Sequence, residues 1–266
     1  MMKEKRVVVI SGGSSGIGKS IASAFFKAGE IVYSLSRTGI SSPGITCLLT
    51  DVTSSESVDH AVDTIIKLEK RIDILINCAG YGISGAIEFT DIEDAKQLFE
   101  TDFWGMVRLN ASVIPYMRKN RSGLIINLSS VAAMLPIPFQ SYYSAAKAAV
   151  TSYTLSLANE LKPFSIRVCA IQPGDVSTGF TSARKKSTKG DDIYNGRIHK
   201  SVGRMEKDEQ NGMAPDVVAR SVMRIADRTR VRPVYTTGSK YRFFILLARV
   251  LPLRFVNWVL YQLYAK

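Results

Sequence analysis

A chain of 266 residues that is 46% hydrophobic is long enough to bury one sizeable core. Its cysteines, Cys47, Cys78 and Cys169, are odd in number and contain no CxxC pair, which speaks against a disulfide framework and a zinc site; His60 and His199 stand isolated, so no metal is expected. The net charge of +12 is uneven, because Arg228 to Lys266 holds eight Lys or Arg and no acid. Positive charge gathered in an aliphatic and aromatic tail, with no recognisable binding module, argues against nucleic acid as a partner and for a membrane surface.

In chain order, "RVVVI" (6–10) comes first and reads as a buried strand; its apolar run is too short for the core of an export signal, and a cytoplasmic location is expected, peripheral to a membrane if the tail binds one. Further apolar runs follow at 31–35, 45–49, 73–77, 124–128, 166–171 and 232–236. Most are apolar almost throughout, which suits a parallel sheet covered on both faces. Periodic segments at 17–28, 55–69, 103–118 and 142–161 have the length of crossover helices. The pattern predicts a single doubly wound α/β domain of Rossmann type, with a mostly parallel sheet of seven strands. Residues 1–239 are taken as the cofactor-binding catalytic region. Within them 179–212, polar and rich in Lys, Arg, Ser and Gly, reads as an irregular mobile substrate loop. Residues 240–266 form an apolar, basic extension.

After the first strand, "SGGSSGIGKS" spaces Gly12, Gly16 and Gly18 as G-x-x-x-G-x-G. Glycines there let the backbone approach a pyrophosphate, and the N-terminus of the following helix offers free N–H groups to the anion. The second strand ends in "SLSRT", where no acid is present to hold a ribose 2′-hydroxyl and Arg37 suits a 2′-phosphate, so NADP(H) is favoured over NAD(H).

Near the middle, "QSYYSAAKAAV" sets two tyrosines before a lysine. On a helix beginning near Tyr142, residues four apart share a face, which pairs Tyr143 and not Tyr142 with Lys147. A phenol is mostly protonated at neutral pH and can protonate an alkoxide; the ammonium of Lys147 is expected to make it more acidic. Ser130 ends the apolar strand "LIINL", where ligands sit in open α/β sheets.

Taken together, "SGGSSGIG", "DVT" (51–53), "NCAG" (77–80), "NLSS" (127–130), "YSAAK" (143–147) and "PGDVST" (173–178) resemble the classical short-chain dehydrogenases/reductases from about Arg6 to Phe180. The resemblance implies catalytic roles for Ser130 on the reacting oxygen, Tyr143 as acid or base, and Lys147, which would also hold the cofactor ribose. It places the cofactor against Gly12, Ser14, Ser15, Gly16, Ile17 and Gly18, against Ser36, Arg37, Asp51 and Val52, and against Asn77, Ala79 and Gly80. Beyond these, Pro173, Gly174, Val176 and Thr178 would hold the carboxamide side. Four positions depart from the family pattern. Ser11 replaces a threonine, Ser14 and Ser15 stand where a basic residue is common, and Asp102 replaces the asparagine of a catalytic tetrad. Asp102 is read as a functional substitute whose carboxylate adds charge near Lys147.

The expected activity is interconversion of a ketone and a secondary alcohol by an NADP(H)-dependent oxidoreductase. Apolar residues after Ser130, "VAAMLPIPF", predict a hydrophobic substrate of steroid, retinoid or fatty-acyl type. The alternative is a regulatory protein of the same fold that binds NADP(H) with attenuated catalysis, for which Asp102 is the argument. The family resemblance implies a homodimer or homotetramer through the helices around Phe103 and Tyr142. In the extension, 19 of the 27 residues are apolar or aromatic and all five charged ones are basic. Arg249, Pro252 and Arg254 cut this run too short to span a bilayer. Two short helices on a membrane surface are expected, with pocket closure or subunit packing as the other use of the same face.

Overall fold

The seven apolar runs are the seven strands of one parallel sheet in a computed structural model that describes residues 4–39 and 43–266. Six belong to the alternating first part of the chain: β1 Val7–Ser11, β2 Ile31–Ser36, β3 Thr46–Leu49, β4 Ile74–Asn77, β6 Gly123–Leu128 and β7 Ile166–Pro173. The last, β9 Val234–Thr237, lies at one edge, and the order is β3-β2-β1-β4-β6-β7-β9. All pairs are parallel. A two-stranded ribbon pairs β5 Ile83–Ser84 with β8 Lys185–Lys186 apart from the main sheet.

Both faces of the sheet are covered, which explains runs without polar alternation. Val7 and Val9 of β1 pack into a core with Val58, Val62 and Ile65 of α2 (Ser55–Glu69) and Leu109 and Val113 of α4 (Gly105–Asn120). Val8 and Ile10 point the other way, onto Ile21 and Phe25 of α1 (Gly16–Lys27) and Val218 and Val222 of α8 (Pro215–Ala226). Ile10 is fully buried; burial of such a side chain stabilises by about 1.5–3 kcal/mol.

Chain order reverses between β1 and β4, so the C-terminal ends of these two strands open the crevice in which ligands bind on sheets of this kind. Two more elements line it, α5 Ser141–Leu161 and the short α6 Phe180–Ala183, and α3 Ile92–Phe99 packs on α5. The stretch expected to be irregular between 179 and 212 contains α7, Arg197–Gln210. Its inner face is apolar, with Ile198, Val202 and Met205 packed against Ala86. The chain then ends in α9, Ser239–Val250, and α10, Leu253–Tyr264, on either side of Pro252.

Candidate active site

The glycine turn is built to bring backbone close to a ligand. Gly12 and Gly16 have positive φ, +68° and +50°. A Cβ on Gly12 would lie 2.9 Å from the Ala79 backbone, and one on Gly18 would lie 2.2 Å from the Gly12 carbonyl oxygen. Ser15 precedes α1 without capping it through its side chain, and the first turn holds no acid, so N–H groups at the helix start remain available to an anion. These features fit a nicotinamide dinucleotide, whose pyrophosphate needs such a cradle.

Gly12, Ser15, Gly16, Ile17 and Gly18 line a cavity of about 420 Å³ together with Ala79, Gly80, Pro173, Gly174, Val176 and Thr178. Ser130, Tyr143 and Lys147 line the same cavity. The remaining expected residues sit around it. Ser14 belongs to the turn, half-buried Asp51 accepts from the Thr53 backbone N–H at 2.9 Å, and Arg37 is exposed beyond the end of β2, where Ser36 is buried. Val52 packs where a Cβ on Gly105 would come within 2.7 Å of it. Asn77 is turned into a buried polar network, donating at 2.8 Å to Asn110 and to Asn127. Asp102 stands behind Lys147, outside the cavity lining.

Helix α5 places Tyr143 and Lys147 one turn apart, both buried, with the Lys147 ammonium 5.5 Å from the phenol ring centre. Tyr142 is only partly buried and does not line the cavity, although it packs against the same small cluster, with Leu98 and Ala132, to which Tyr143 belongs. The two adjacent serines also divide their work. Ser129 hydroxyl donates to the Lys147 carbonyl at 2.9 Å and fastens α5 to β6, while Ser130, half-buried, accepts from the Ala132 N–H at 3.1 Å and lines the cavity with Tyr143.

Asp102 lies in a π-helical turn, Glu100–Trp104, between α3 and α4. Its carboxylate is buried and pairs with Lys147 Nζ at 2.9 Å; Tyr81 N–H donates to its other oxygen at 2.9 Å. Lys147 Nζ also donates to the Leu128 carbonyl at 3.3 Å. Burial raises the Asp102 pKa against the pull of Lys147. For Lys147, burial opposes the charge, but Asp102 and the phenol outweigh it and the pKa is raised. Tyr143 is raised as well, first by burial and further by Asp102, against the opposing effect of Lys147. The lysine does pull the phenol down as expected, but burial outweighs that pull and the Asp102 carboxylate adds to the rise.

Several lining residues were not anticipated. Phe180 packs with its ring tilted 56° to that of Tyr143 at 5.6 Å between centres, Arg184 lies over Phe180 at 5.4 Å, and Arg184 is ion-paired with Glu209 of α7. Asp208 and Glu209 from α7 and Tyr264 from α10 complete the far wall, with Tyr264 hydroxyl donating to Asp208 at 3.0 Å. Tyr241 of α9 presses its ring against Gly174 and donates its hydroxyl to Asp175, which also lines the cavity.

Comparison with known proteins agrees with this architecture. The family model for short chain dehydrogenases matches residues 6–189. A 3-ketodihydrosphingosine reductase of Bacteroides thetaiotaomicron is 42% identical over 228 residues, spanning 85% of this chain and 85% of that protein. A dehydrogenase/reductase SDR family member 7B of Xenopus tropicalis is 32% identical, over 84% of this chain and 75% of its own. Among solved structures, a short-chain dehydrogenase from Streptomyces avermitilis superposes with a TM-score of 0.84 at 27% identity, covering 92% of both chains. The chain belongs to the short-chain dehydrogenase/reductase family, and it is an oxidoreductase of the kind that works with a nicotinamide cofactor.

Proposed function

We propose that the chain is an NADPH-dependent reductase of a long-chain 3-oxo amine, of which 3-ketodihydrosphingosine is the model compound. The chemistry rests on one observation: Ser130, Tyr143 and Lys147, the last ion-paired with buried Asp102, line the same cavity as the glycine turn. The substrate reading is supported by the 42% identity to a 3-ketodihydrosphingosine reductase. Ala132 and Ile137 add apolar lining beside Ser130. Exposed Arg37, at the end of a strand that carries no acid there, supports NADPH over NADH.

When bound, the nicotinamide cofactor supplies a hydride to the carbonyl carbon. Ser130 hydroxyl hydrogen-bonds the carbonyl oxygen and fixes its position over the Tyr143 phenol. Tyr143 then donates its proton to the oxygen as negative charge develops there, leaving a secondary alcohol. At neutral pH the phenol is protonated, the form that a proton donor to the carbonyl oxygen needs. Lys147, held cationic by Asp102, stabilises the phenolate left behind. Asp102 thereby serves as a positioning residue for the lysine, in place of the asparagine of the family pattern. The working form is a homodimer or homotetramer through α4 and α5, where Trp104, just before α4, and Leu155 of α5 stay exposed.

The test is a substrate panel read by ketone-dependent oxidation of NADPH and of NADH: 3-ketodihydrosphingosine, a ketosteroid, retinal and a 3-oxoacyl thioester. The 3-oxo amine with NADPH is expected to give the highest kcat/KM. A ketosteroid turned over faster would move the substrate class, and no turnover on any carbonyl would favour a regulatory protein.

A further inference from the structure

Nine of the eighteen large hydrophobic side chains left exposed among the described residues belong to α9 and α10. Phe243, Leu246 and Val250 recur at i, i+3 and i+7 and so share one face of α9, with exposures of 57%, 60% and 76%. On α10, Leu253 is 75% exposed, and Phe255 stacks on Trp258 with ring centres 5.8 Å apart. Exposed apolar side chains gathered in this way mark an interaction surface.

Charge decides what covers it. Residues 240–266 carry Lys240, Arg242, Arg249, Arg254 and Lys266 and no acid. Beside them, Lys200, Arg204 and Lys207 of α7 gather round Leu263 and Lys266. A second copy packed on this face about a two-fold axis would bring the same cations against one another. An anionic bilayer supplies the opposite charge and accommodates aromatic side chains at headgroup depth. Among the described residues no helix is long and apolar enough to cross a membrane.

We propose that α9 and α10 form an interfacial anchor that seats this oxidoreductase on an anionic phospholipid surface. The anchor is tied to the reaction site at two points, through Tyr241 on Gly174 and Asp175 and through Tyr264 on Asp208. Between α10 and α5 runs a groove of about 750 Å³, and Ala132 and Ile137 line both this groove and the cavity that holds Ser130 and Tyr143. Trp258 and Tyr261 stand on its α10 side. A long-chain carbonyl compound resident in the bilayer would thus meet the cavity along a wall that belongs to the anchor.

The experiment is co-sedimentation of the full chain with vesicles of phosphatidylcholine alone and of phosphatidylcholine with phosphatidylglycerol, at low and moderate salt. The chain is expected to sediment with the anionic vesicles and to be released by salt. The variant F243S/V250S/L253S is expected to weaken binding by roughly tenfold per side chain, and R242A/R249A by roughly fivefold per charge. Both alter exposed positions and are expected to keep the wild-type melting transition. Full-length protein that ignores anionic vesicles would overturn the proposal. So would an F243S/V250S/L253S protein that loses its quaternary structure while binding vesicles as before, which would assign the face to subunit packing. Vesicle binding is read without turnover, so the outcome is independent of which carbonyl compound is reduced.

Discussion

At position 102 an aspartate stands where the family pattern has asparagine, and the difference is electrostatic before it is structural. Its carboxylate sits 2.9 Å from Lys147 Nζ with both groups buried, so it opposes part of the lysine's downward pull on the phenol. Replacing Asp102 by Asn removes a negative charge that raises the Tyr143 pKa. A proton donor is fully available below its pKa and lost above it, so the D102N variant is expected to move the alkaline limb of ketone reduction to lower pH. Steady-state kcat measured over roughly pH 6 to 11 checks this; a limb that stays in place would remove Asp102 from the titration. The acid's identity was legible in the sequence, and so was the pairing of Tyr143 with Lys147, because helical spacing determines it. The net direction of the phenol's shift was not, since burial outweighs the lysine and burial depends on Phe180 and other groups distant in the chain.

The elements themselves follow from local pattern wherever burial is two-sided. Each of the seven apolar runs became a strand because helices cover both faces, and the crossover helices took their expected places. Helix α7 was missed because its composition is polar overall, although Ile198, Val202 and Met205 at i, i+4 and i+7 already traced an apolar stripe. The attachment of α9 could not be read at all, because it joins Tyr241 to Gly174 and Asp175, more than sixty residues earlier in the chain. That attachment has two parts. Tyr241→Phe removes the hydroxyl bond to Asp175 and keeps the ring on Gly174, for an expected loss of about 1 kcal/mol. Tyr241→Ala removes both and is expected to cost about 2–4 kcal/mol, allowing for the partial exposure of the ring. Urea denaturation separates them; equal losses for the two variants would mean that the ring contributes nothing to holding α9.

Across the whole molecule, the reaction site is a meeting point of segments far apart in sequence: the turn after β1, the end of β6, the first turns of α5, and α7 and α10. The parallel sheet places the first three at one edge, which is why their motifs could be recognised along the chain. The far wall, with Asp208, Glu209 and Tyr264, comes from parts without a motif. The proposed chemistry turns on which tyrosine acts: Tyr143, which lines the cavity, and not its neighbour Tyr142, which does not. The most direct measurement is NADPH oxidation with 3-ketodihydrosphingosine by wild type, Y143F and Y142F, with cofactor binding followed separately by fluorescence. Y143F is expected to bind NADPH and to turn over about 10²-fold to 10⁴-fold more slowly, while Y142F retains most of the wild-type rate. A Y143F enzyme that works at the wild-type rate, or a Y142F enzyme that is the dead one, would contradict the account.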